Sequence, residues 1–367
     1  MERNMEVGII GLPRSGKTTL FNAITKGKAS VDVYSDKANV GVAKVPDERL
    51  IRLAKIYNPR RLVNAEIAYT DVPPPPEGFG RTRGIGGEYL NLLQAVDALL
   101  IVVRCFNNPA VAHVDETIDY LRDAGNMLME LIISDMEIIE RRITRIQVEN
   151  KGATLQERQN LKNEENLLMT IKKNLDMGIG LRDQGLSDDE IKRLGGFGLL
   201  SMKPVIVVSN IGEDQLDMVE QLNQNLWETI NSQNMATLAL CAQLEMDLAQ
   251  MDANDEIDFR RSFGIKESSL ERMVKTSYGV VGLIAFFTVG EDEVRAWEIK
   301  SNTKAQKAAG KIHSDLERGF IRAEVIAYDD LVANGNLVEA KKKGLVRQEG
   351  KQYVVQDGDI MHVLFNV

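Results

Sequence analysis

The sequence predicts an α/β fold built on a doubly wound, mostly parallel sheet, with an inserted helical hairpin and a C-terminal α+β module. Three observations lead to this prediction. Short apolar runs alternate with helical stretches in the first part of the chain and again after about residue 200. Between them, two long stretches carry hydrophobic residues at helical spacing. From about residue 275 onward, short strand-like segments are separated by Gly or Asp-Gly turns.

Apolar runs predict the strands of the first sheet. These runs are Glu6–Gly11, 40–45, 63–71, Ala98–Arg104 and 205–209. The last two are almost continuously apolar, as expected of central parallel strands that are covered on both faces. Residues 18–25 follow the first run and predict a helix whose Leu20, Phe21 and Ile24 face inward.

Residues 115–200 break this alternation and predict a helical hairpin, with a turn at residues 150–152. The hydrophobic stripe consists of Leu128, Leu131, Ile132, Ile139, Ile143, Ile146, Leu161, Leu168, Ile171 and Leu175. The simplest interpretation is that this stripe is the seam between the two helices. The alternative, which stays open, adds a partner-docking surface on the outer faces of the hairpin.

The C-terminal module is predicted as a separate α+β domain of ordinary size. Its predicted strands are 280–289, Phe320–Ala327, 352–355 and 360–365. The chain therefore divides into an α/β domain of two parts, 1–114 and 201–274, with an inserted hairpin at 115–200 and a C-terminal domain at 275–367.

The composition is ordinary for a soluble globular protein, and a cytoplasmic location is expected. With 367 residues, the chain is too long for one hydrophobic core, so two or three domains are expected. No apolar run reaches the ~18–20 residues of a membrane helix, and the N-terminus lacks the pattern of a secretory signal. Cys105 and Cys241 both adjoin apolar runs and are expected to be buried, reduced thiols. The net charge of −9 argues against a surface that wraps nucleic acid, although a local basic patch stays open.

A phosphate-binding loop follows the first predicted strand. Residues 11–18 read G-L-P-R-S-G-K-T and match the pattern G-x-x-x-x-G-K-[ST], with an apolar strand before it and an amphipathic helix after it. The glycines let successive backbone N–H groups turn inward and form an anion nest, and the helix N-terminus adds partial positive charge. Lys17 supplies a full charge for the β- and γ-phosphates, and the Thr18 hydroxyl is a ligand for Mg²⁺.

Two further positions complete the predicted site. Asp71 ends a predicted strand and is the candidate for a second Mg²⁺ anchor, although an acid that merely ends a strand before a turn is the alternative. Asn210 and Glu213 follow the run 205–209 at the edge of the sheet where ligands bind. Asn210 can bond a purine edge, and Glu213 stands where a guanine-specific Asn-Lys-x-Asp motif has its Asp. A helix-start Asn followed by a first-turn acid is the alternative.

Over its whole length, the chain resembles the YchF/Obg-like ATPase family, a branch of the translation-factor class of P-loop GTPases. The blocks that carry the resemblance are 11–19, 39–47, 104–106, 210–213, 294–297, 308–313, 319–330 and 357–362. The resemblance implies a P-loop nucleotide domain, an inserted helical hairpin and a C-terminal TGS-like domain. It also implies ATP or GTP as the bound nucleotide, Mg²⁺, and a ribosome partner, at the large subunit or its rRNA. The oligomeric state is left open, with a monomer favoured.

The resemblance also implies site residues. Those expected at the nucleotide are Gly11, Pro13, Arg14, Ser15, Gly16, Lys17, Thr18, Thr19, Asn210, Ile211, Glu213, Cys241 and Ala242. Thr18, Ser35 and Asp71 are expected at the metal, and Lys17 and His113 are the catalytic candidates. The Asn-x-x-Glu motif goes with a preference for ATP over GTP. The family has an apolar residue in place of the usual catalytic Gln, and His113 matches its candidate for positioning water. From the residues alone, a single His here would be a surface or packing residue.

The sequence departs from the family after Asp71. The family has Asp-x-x-Gly there, and its Gly N–H bonds the γ-phosphate, whereas residues 71–76 read D-V-P-P-P-P, so Pro74 replaces that Gly. Proline has no N–H to donate, and its fixed φ restricts the loop. Two functions therefore stay open: a slow ATPase coupled to ribosome or RNA binding, or a nucleotide-gated binding module with little hydrolysis. A GTP-preferring enzyme is a third option.

Overall fold

A computed structural model describes residues 5–26, 38–75, 85–111, 113, 116–262 and 268–366. The chain forms two compact units. The phosphate-loop unit comprises Glu6–Gly41 and Tyr69–Ser269, and the C-terminal unit comprises Met1–Met5, Val42–Ala68 and Leu270–Val367. The domain boundaries given above stay a prediction. Across the described residues, no helix combines the length and the apolar character that crossing a membrane requires.

The described strands, in chain order, form two sheets. They are β1 (Glu6–Gly11), β2 (Asn39–Lys44), β3 (Arg61–Val63), β4 (Glu66–Asp71), β5 (Ala98–Arg104), β6 (Val205–Asn210), β7 (Met235–Leu240), β8 (Leu283–Val289), β9 (Glu293–Lys300), β10 (Phe320–Ala327), β11 (Arg347–Glu349) and β12 (Asp359–Phe365). The first sheet has the order β2–β4–β1–β5–β6–β7, and the second has the order β11–β10–β12–β8–β9–β3.

The described α-helices lie between these strands. They are α1 (Lys17–Thr25), α2 (Glu48–Tyr57), α3 (Gly87–Ala95), α4 (Tyr120–Glu149), α5 (Leu155–Asp176), α6 (Asp188–Leu194), α7 (Val219–Ile230), α8 (Ala242–Leu248), α9 (Ala253–Ser262), α10 (Ser269–Val280), α11 (Ala305–Ile312), α12 (Ser314–Arg318), α13 (Tyr328–Asn334) and α14 (Leu337–Lys342). Two short 3₁₀ helices span Leu181–Asp183 and Glu213–Met218.

The first sheet brings the ends of four parallel strands to one edge. β5 pairs in parallel with β1 and β6, and β6 pairs in parallel with β7. Every residue of β5 and β6 is buried, as expected of strands that are covered on both faces. The predicted mostly parallel α/β sheet is thus confirmed. Because ligands of such sheets bind at the carboxyl edge, the residues that end these strands are expected to form a ligand site.

The predicted helical hairpin is present as α4 and α5. Their seam contains Ile139, Ile143, Ile146, Leu168 and Ile171 in one buried cluster. A capping box in which Thr154 and Glu157 bond each other's backbone N–H groups starts α5. Arg142 on α4 reaches Glu164 on α5, with its Nε 2.6 Å from Oε1.

The first turns of α4 differ from the predicted seam. Leu131 belongs to the core beneath the first sheet, together with Ala124 and Met127, and Leu128 packs against that same core. The helix is long enough to pack into two hydrophobic cores. Its first half covers the sheet, and its second half pairs with α5. The hydrophobic spacing alone does not distinguish these two partners.

The C-terminal unit has the predicted α+β character. Three predicted strands, one of which was assigned to the first sheet, differ from the prediction in detail. Residues 63–71 are two strands, because Ala65 O and the Asn64 side chain bond backbone groups of Val45 instead of extending one ladder. The predicted strand 352–355 is wrong, since this segment has an isolated bridge between Lys304 and Val354. The predicted strand 280–289 starts later, at Leu283, because α10 runs to Val280.

Three strands were not predicted: β7, β9 and the short β11 (Arg347–Glu349). β9 has an alternating burial pattern, and its charged residues Glu293, Arg295 and Glu298 hide the apolar face. It pairs with β8 and also with β3, where Arg61 lies opposite Glu293. β7 is short and apolar, and it lies at the end of the first sheet. A strand that depends on partners distant in sequence gives a weak local signal.

Candidate functional site

The phosphate-binding loop joins β1 to α1, as the sequence predicts. Gly16 is the N-cap of α1 and has a φ of 91°, a conformation that glycine adopts at low cost. A Cβ added to Gly16 would lie 2.2 Å from Asn210 Nδ2, so a side chain has no room there. Arg14 also has a positive φ, of 65°. Within the loop, Ser15 N donates to Leu12 O at 3.2 Å and closes the turn.

Two buried polar groups of the loop lack hydrogen-bond partners among the described residues. They are the Lys17 ammonium nitrogen and the Ser15 hydroxyl. Burial lowers the pKa of Lys17 to about 8, and the nearby Asp71 offsets part of this effect. A buried cation without hydrogen bonds is costly, because it has lost its water without gaining a partner. An anion between Lys17 and the loop amides would remove that cost.

Thr18 and Asp71 meet beside Lys17. Thr18 Oγ1 donates to Asp71 Oδ2 at 2.9 Å. Asp71 Oδ1 is buried and has no hydrogen-bond partner among the described residues. Burial raises the pKa of Asp71, while the Thr18 hydrogen bond and the Lys17 charge lower it. Hydroxyl and carboxylate oxygens are the ligands that Mg²⁺ prefers, so the donor set fits this ion.

Several residues that were predicted to lie near the nucleotide base meet where β6 and β7 end. Asn210 Nδ2 donates to Ser15 O at 2.9 Å, and Ala242 N donates to Asn210 Oδ1 at 3.0 Å. Ile211 N bonds Leu240 O, and Cys241 is buried next to Ala242. Asn210 is 4% exposed and therefore links the phosphate loop to the start of α8. The sequence did not reveal this linking role, and the contact of Asn210 with a purine stays a prediction.

The remaining predicted residues have varied surroundings. Glu213 starts a 3₁₀ helix and is exposed, close enough to raise the pKa of the buried Cys241 thiol, although burial raises it more. Pro13 and Thr19 are half-buried on the loop and on α1, and Arg14 is exposed. Gly11 ends β1, and a Cβ there would lie 2.4 Å from Val102 O. Both cysteines are free and buried, as predicted.

His113 lies against α4. Its Nε2 is 3.0 Å from Asp123 Oδ2, and the side chains are 4% and 1% exposed. Asp123 also accepts bonds from Arg122, with Nη2 at 2.8 Å from Oδ1. In this position His113 is a buried partner of an acid, so its predicted catalytic role would require it to leave Asp123. Ser35, the remaining predicted metal ligand, lies outside the described residues.

Three consecutive prolines follow Asp71 within the described part of the chain. Val72 N donates to Ile9 O at 3.1 Å, and Pro73, Pro74 and Pro75 come next. None of the three carries an amide hydrogen. Pro74 is exposed, and the fourth proline, Pro76, lies outside the described residues. This stretch of backbone therefore offers no N–H group to a phosphate.

Comparison with known proteins places this site in a family. A family model described as 50S ribosome-binding GTPase matches residues 6–135. The YchF GTPase C-terminal model, described as a protein of unknown function, matches residues 283–366. The chain is 38% identical to the "Ribosome-binding ATPase YchF" of Bacillus subtilis, over 99% of this chain and 100% of the relative. The chain belongs to the YchF family.

Other relatives agree with this assignment to YchF. The protein of the same name from Haemophilus influenzae is 36% identical over 98% of this chain and 99% of its own. The structure of the Schizosaccharomyces pombe YchF GTPase superimposes with a TM-score of 0.84 at 29% identity, and it covers 99% of this chain and 98% of that one. The chain is accordingly a P-loop nucleoside triphosphatase with the YchF architecture.

Proposed function

We propose that this YchF-family chain binds a Mg²⁺–purine nucleoside triphosphate, prefers ATP, hydrolyses it slowly and couples this cycle to ribosome binding. The observation that carries the proposal is the set of buried polar atoms without partners, among the described residues, at the phosphate loop. These atoms are Lys17 Nζ, Ser15 Oγ and Asp71 Oδ1. Two of these atoms belong to the phosphate loop and the third, on Asp71, lies close to Lys17, so a triphosphate with its metal ion would supply their missing partners.

Mg²⁺ would be held jointly by protein and nucleotide. Across the described residues, no cluster of three or more His, Cys, Asp or Glu side chains is suited to hold a metal ion. Thr18 and Asp71 supply two oxygens, and Mg²⁺ completes its octahedron with waters and phosphate oxygens. When bound, the ion neutralises charge on the β- and γ-phosphates. Metal binding should therefore depend on nucleotide.

The preference for ATP is proposed from Glu213 and its neighbours. Asn210 holds the loop, and its bonded amide leaves one further donor and one further acceptor site. Ile211 and Cys241 belong to one buried apolar cluster at the ends of β6 and β7, next in sequence to Asn210 and Ala242. The exposed Glu213 carboxylate accepts hydrogen bonds, which suits the exocyclic amine of adenine. GTP that binds more tightly than ATP in direct competition would refute this role of Glu213.

Slow hydrolysis is proposed because the site has strong phosphate binding and few groups that act on water. Lys17 places positive charge where the β- and γ-phosphates would lie, and this charge stabilises the transition state. The run Pro73–Pro75 withholds backbone donors, and losing one such donor lowers a rate by roughly 10²–10³. His113 would have to exchange Asp123 for the attacking water.

The ribosome is proposed as the partner from the names of the relatives, both called ribosome-binding. The family model over residues 6–135 carries the description of a 50S ribosome-binding GTPase, which favours the large subunit or its rRNA. The outer faces of the α4–α5 hairpin and the C-terminal module are the proposed docking surfaces. Such a partner corresponds to a cytoplasmic location. The oligomeric state proposed is a monomer.

The test of this function combines binding and turnover. Calorimetry with ATP and Mg²⁺, and phosphate release with and without ribosomes, are measured for the wild type and for Lys17→Ala. The matched control is Lys203→Ala, which removes a half-buried ammonium that donates to Gln94 O at the opposite edge of the sheet. Turnover lost in the first variant and kept in the control supports the proposal. Release no faster than in Lys17→Ala, under both conditions, would refute hydrolysis.

A second candidate is a nucleotide-gated binding module that scarcely hydrolyses. Two observations favour it, the amide-free run Pro73–Pro75 and the burial of His113 against Asp123. This module would bind ribosomes differently with and without ATP, and substitution of His113 would not alter that difference. Ribosome binding that is identical with and without ATP would exclude the gating.

A further inference from the structure

Arg104 ends β5 at the carboxyl edge of the sheet and is almost completely buried, with 3% exposure. Its Nε donates to Phe106 O and its Nη2 to Asn108 O, both at 3.2 Å. Its guanidinium also stacks on the Phe106 ring, 4.6 Å from the centroid. The third nitrogen, Nη1, is buried and has no hydrogen-bond partner among the described residues.

This guanidinium lies beside the phosphate loop. Arg104 is the register partner of Asn210, whose side chain donates to Ser15 O. Phe106, on which Arg104 stacks, is 3.9 Å from the position that a Cβ of Gly16 would take. Arg104 is therefore linked to the loop indirectly, through its neighbour Asn210 on β6 and through the Phe106 ring.

A second cation stands close to the first. Arg14 is the exposed residue of the loop with a φ of 65°. Burial lowers the pKa of Arg104, and the charge of Arg14 lowers it further. An anion bound between these two guanidinium groups would reduce their mutual repulsion. Arginine suits this task because it presents several fixed donors to phosphate oxygens.

We propose that Arg104 is a nucleotide-contacting residue whose Nη1 donates to the phosphate chain, with Arg14 as the second cation of the same contact. This inference rests on the proposed function, since it needs a nucleotide in the phosphate loop. What it adds to that function is a buried, positively charged phosphate contact from β5, besides the contacts from the loop amides and Lys17. The ligand class is a nucleoside di- or triphosphate, because the contact recognises phosphate charge and no feature of the base.

The experiment compares affinities for ATP and for adenosine, each measured by displacement of a fluorescent adenine nucleotide. The variants are Arg104→Gln and Arg14→Gln. A charge-assisted hydrogen bond predicts that Arg104→Gln weakens ATP binding by about ten- to hundredfold and leaves adenosine binding unchanged. Arg14→Gln weakens ATP binding by a smaller factor, since its side chain is solvated.

The comparison with adenosine separates phosphate recognition from loop structure. Arg104 also holds the carbonyls of Phe106 and Asn108, so a disturbed loop would weaken ATP and adenosine binding alike. Arg182→Gln is the matched control, because Arg182 is a half-buried guanidinium that also donates to a backbone carbonyl, at Lys203 O. Lys203 precedes β6, so this control lies at the opposite end of the strand from Asn210.

The outcomes distinguish this inference from the function on which it rests. If the wild type binds ATP and the ATP-to-adenosine ratio of Arg104→Gln equals that of the wild type, the inference is overturned and the function stands. Equal losses for both ligands assign Arg104 to loop support and also overturn it. If the wild type binds no ATP, the proposed function fails and this contact fails with it.

Discussion

Thr18 Oγ1 donates a 2.9 Å hydrogen bond to Asp71 Oδ2, and this bond joins the first turn of α1 to the end of β4. The other oxygen of Asp71 is buried without a partner among the described residues, and Lys17 is close enough to lower the pKa of Asp71. A half-buried hydroxyl thus lies close to a buried carboxylate and a buried ammonium. Their chemistry is that of a metal–phosphate site, and it leads to the first prediction.

Asp71→Asn removes a charge and keeps an acceptor for Thr18. We expect ATP affinity in the presence of Mg²⁺ to fall by about ten- to hundredfold, because a neutral amide is a poor ligand for the ion. In the presence of EDTA the loss should vanish, since Asp71 then only repels the phosphates. Calorimetry under both conditions makes the comparison. Asp97→Asn is the control, because Asp97 accepts from Glu6 N at the opposite edge. Equal losses with and without Mg²⁺ would contradict the metal role.

Lys17 predicts a pH dependence of nucleotide binding. Burial lowers its pKa to about 8, so the free protein loses this positive charge as pH rises through 8. Bound phosphate favours the charged form, and binding above that pH must therefore take up a proton. We expect the association constant for ATP to be level between about pH 6.5 and about 7.5 and to fall by up to about tenfold per pH unit above about 8.

Lys17→Arg tests the cause of this pH dependence, because an arginine stays charged throughout the range. Its affinity at neutral pH is expected to be lower, since the guanidinium is wider than the ammonium it replaces. The decline above about pH 8 should be absent in this variant. A decline of the same size in both proteins would assign the titration to another group.

Asn210→Asp should loosen the phosphate loop. The substitution keeps an acceptor for Ala242 N but turns the Nδ2 donor into an oxygen that faces Ser15 O. We expect the free energy of unfolding of the phosphate-loop unit to fall by about 1–3 kcal/mol, measured by urea denaturation. Asn231→Asp is the matched control, because Asn231 Nδ2 also donates to a backbone carbonyl, at an exposed position. If both variants lose equal stability, Asn210 has no special role in holding the loop.

His113→Asn separates a structural from a catalytic role of this histidine. Its Nε2 lies 3.0 Å from Asp123 within a buried pair, and Arg122 stays with Asp123 after the substitution. The structure predicts a loss of about 1–3 kcal/mol in the free energy of unfolding. His313→Asn is the control, since His313 faces Asp315 from an exposed position. Stability unchanged alongside slower hydrolysis would instead favour a histidine that acts on water.

Asp135 fixes the base of the hairpin and gives a fifth prediction. It is fully buried on α4, and its two oxygens accept from Leu200 N and Ser201 N, both at 2.7 Å. Asp135→Asn must point an amide NH₂ at one of these N–H groups, so we expect a loss of about 1–3 kcal/mol in unfolding free energy. Asp183→Asn, at an exposed acid with similar bonds, is expected to cost less. Equal costs would contradict a special role for burial.

The residues that the sequence predicted well are those whose role depends on near neighbours. Gly16, Lys17 and Thr18 belong to one short motif between a strand and a helix, so the loop follows from local sequence alone. The hairpin seam followed from spacing, although Leu131 packs elsewhere because a helix face does not name its partner. The α/β class followed in the same way from alternating runs.

What the sequence did not predict depends on distant partners. The bonds of Asn210 to Ser15 and Ala242, and the approach of His113 to Asp123, join residues that are brought together only by the fold. Arg104 stood within a recognised block, but a charge at the end of an apolar strand does not reveal that one of its nitrogens lacks a partner among the described residues. Strand β9 was not predicted because its charged residues interrupt the alternation of apolar and polar residues that marks a strand.

The pairing of β3 with β9 affects how the chain folds during synthesis. Segment Val42–Ala68 leaves the translating machinery early, yet its sheet needs partners from Leu270–Val367. At ~5–20 residues per second, that early segment waits roughly 15–60 s until the last residues are synthesised. The phosphate-loop unit has all its segments by Ser269 and can form first. In a chain cut after residue 269, β3 and α2 would therefore lack their packing partners and would be prone to aggregate.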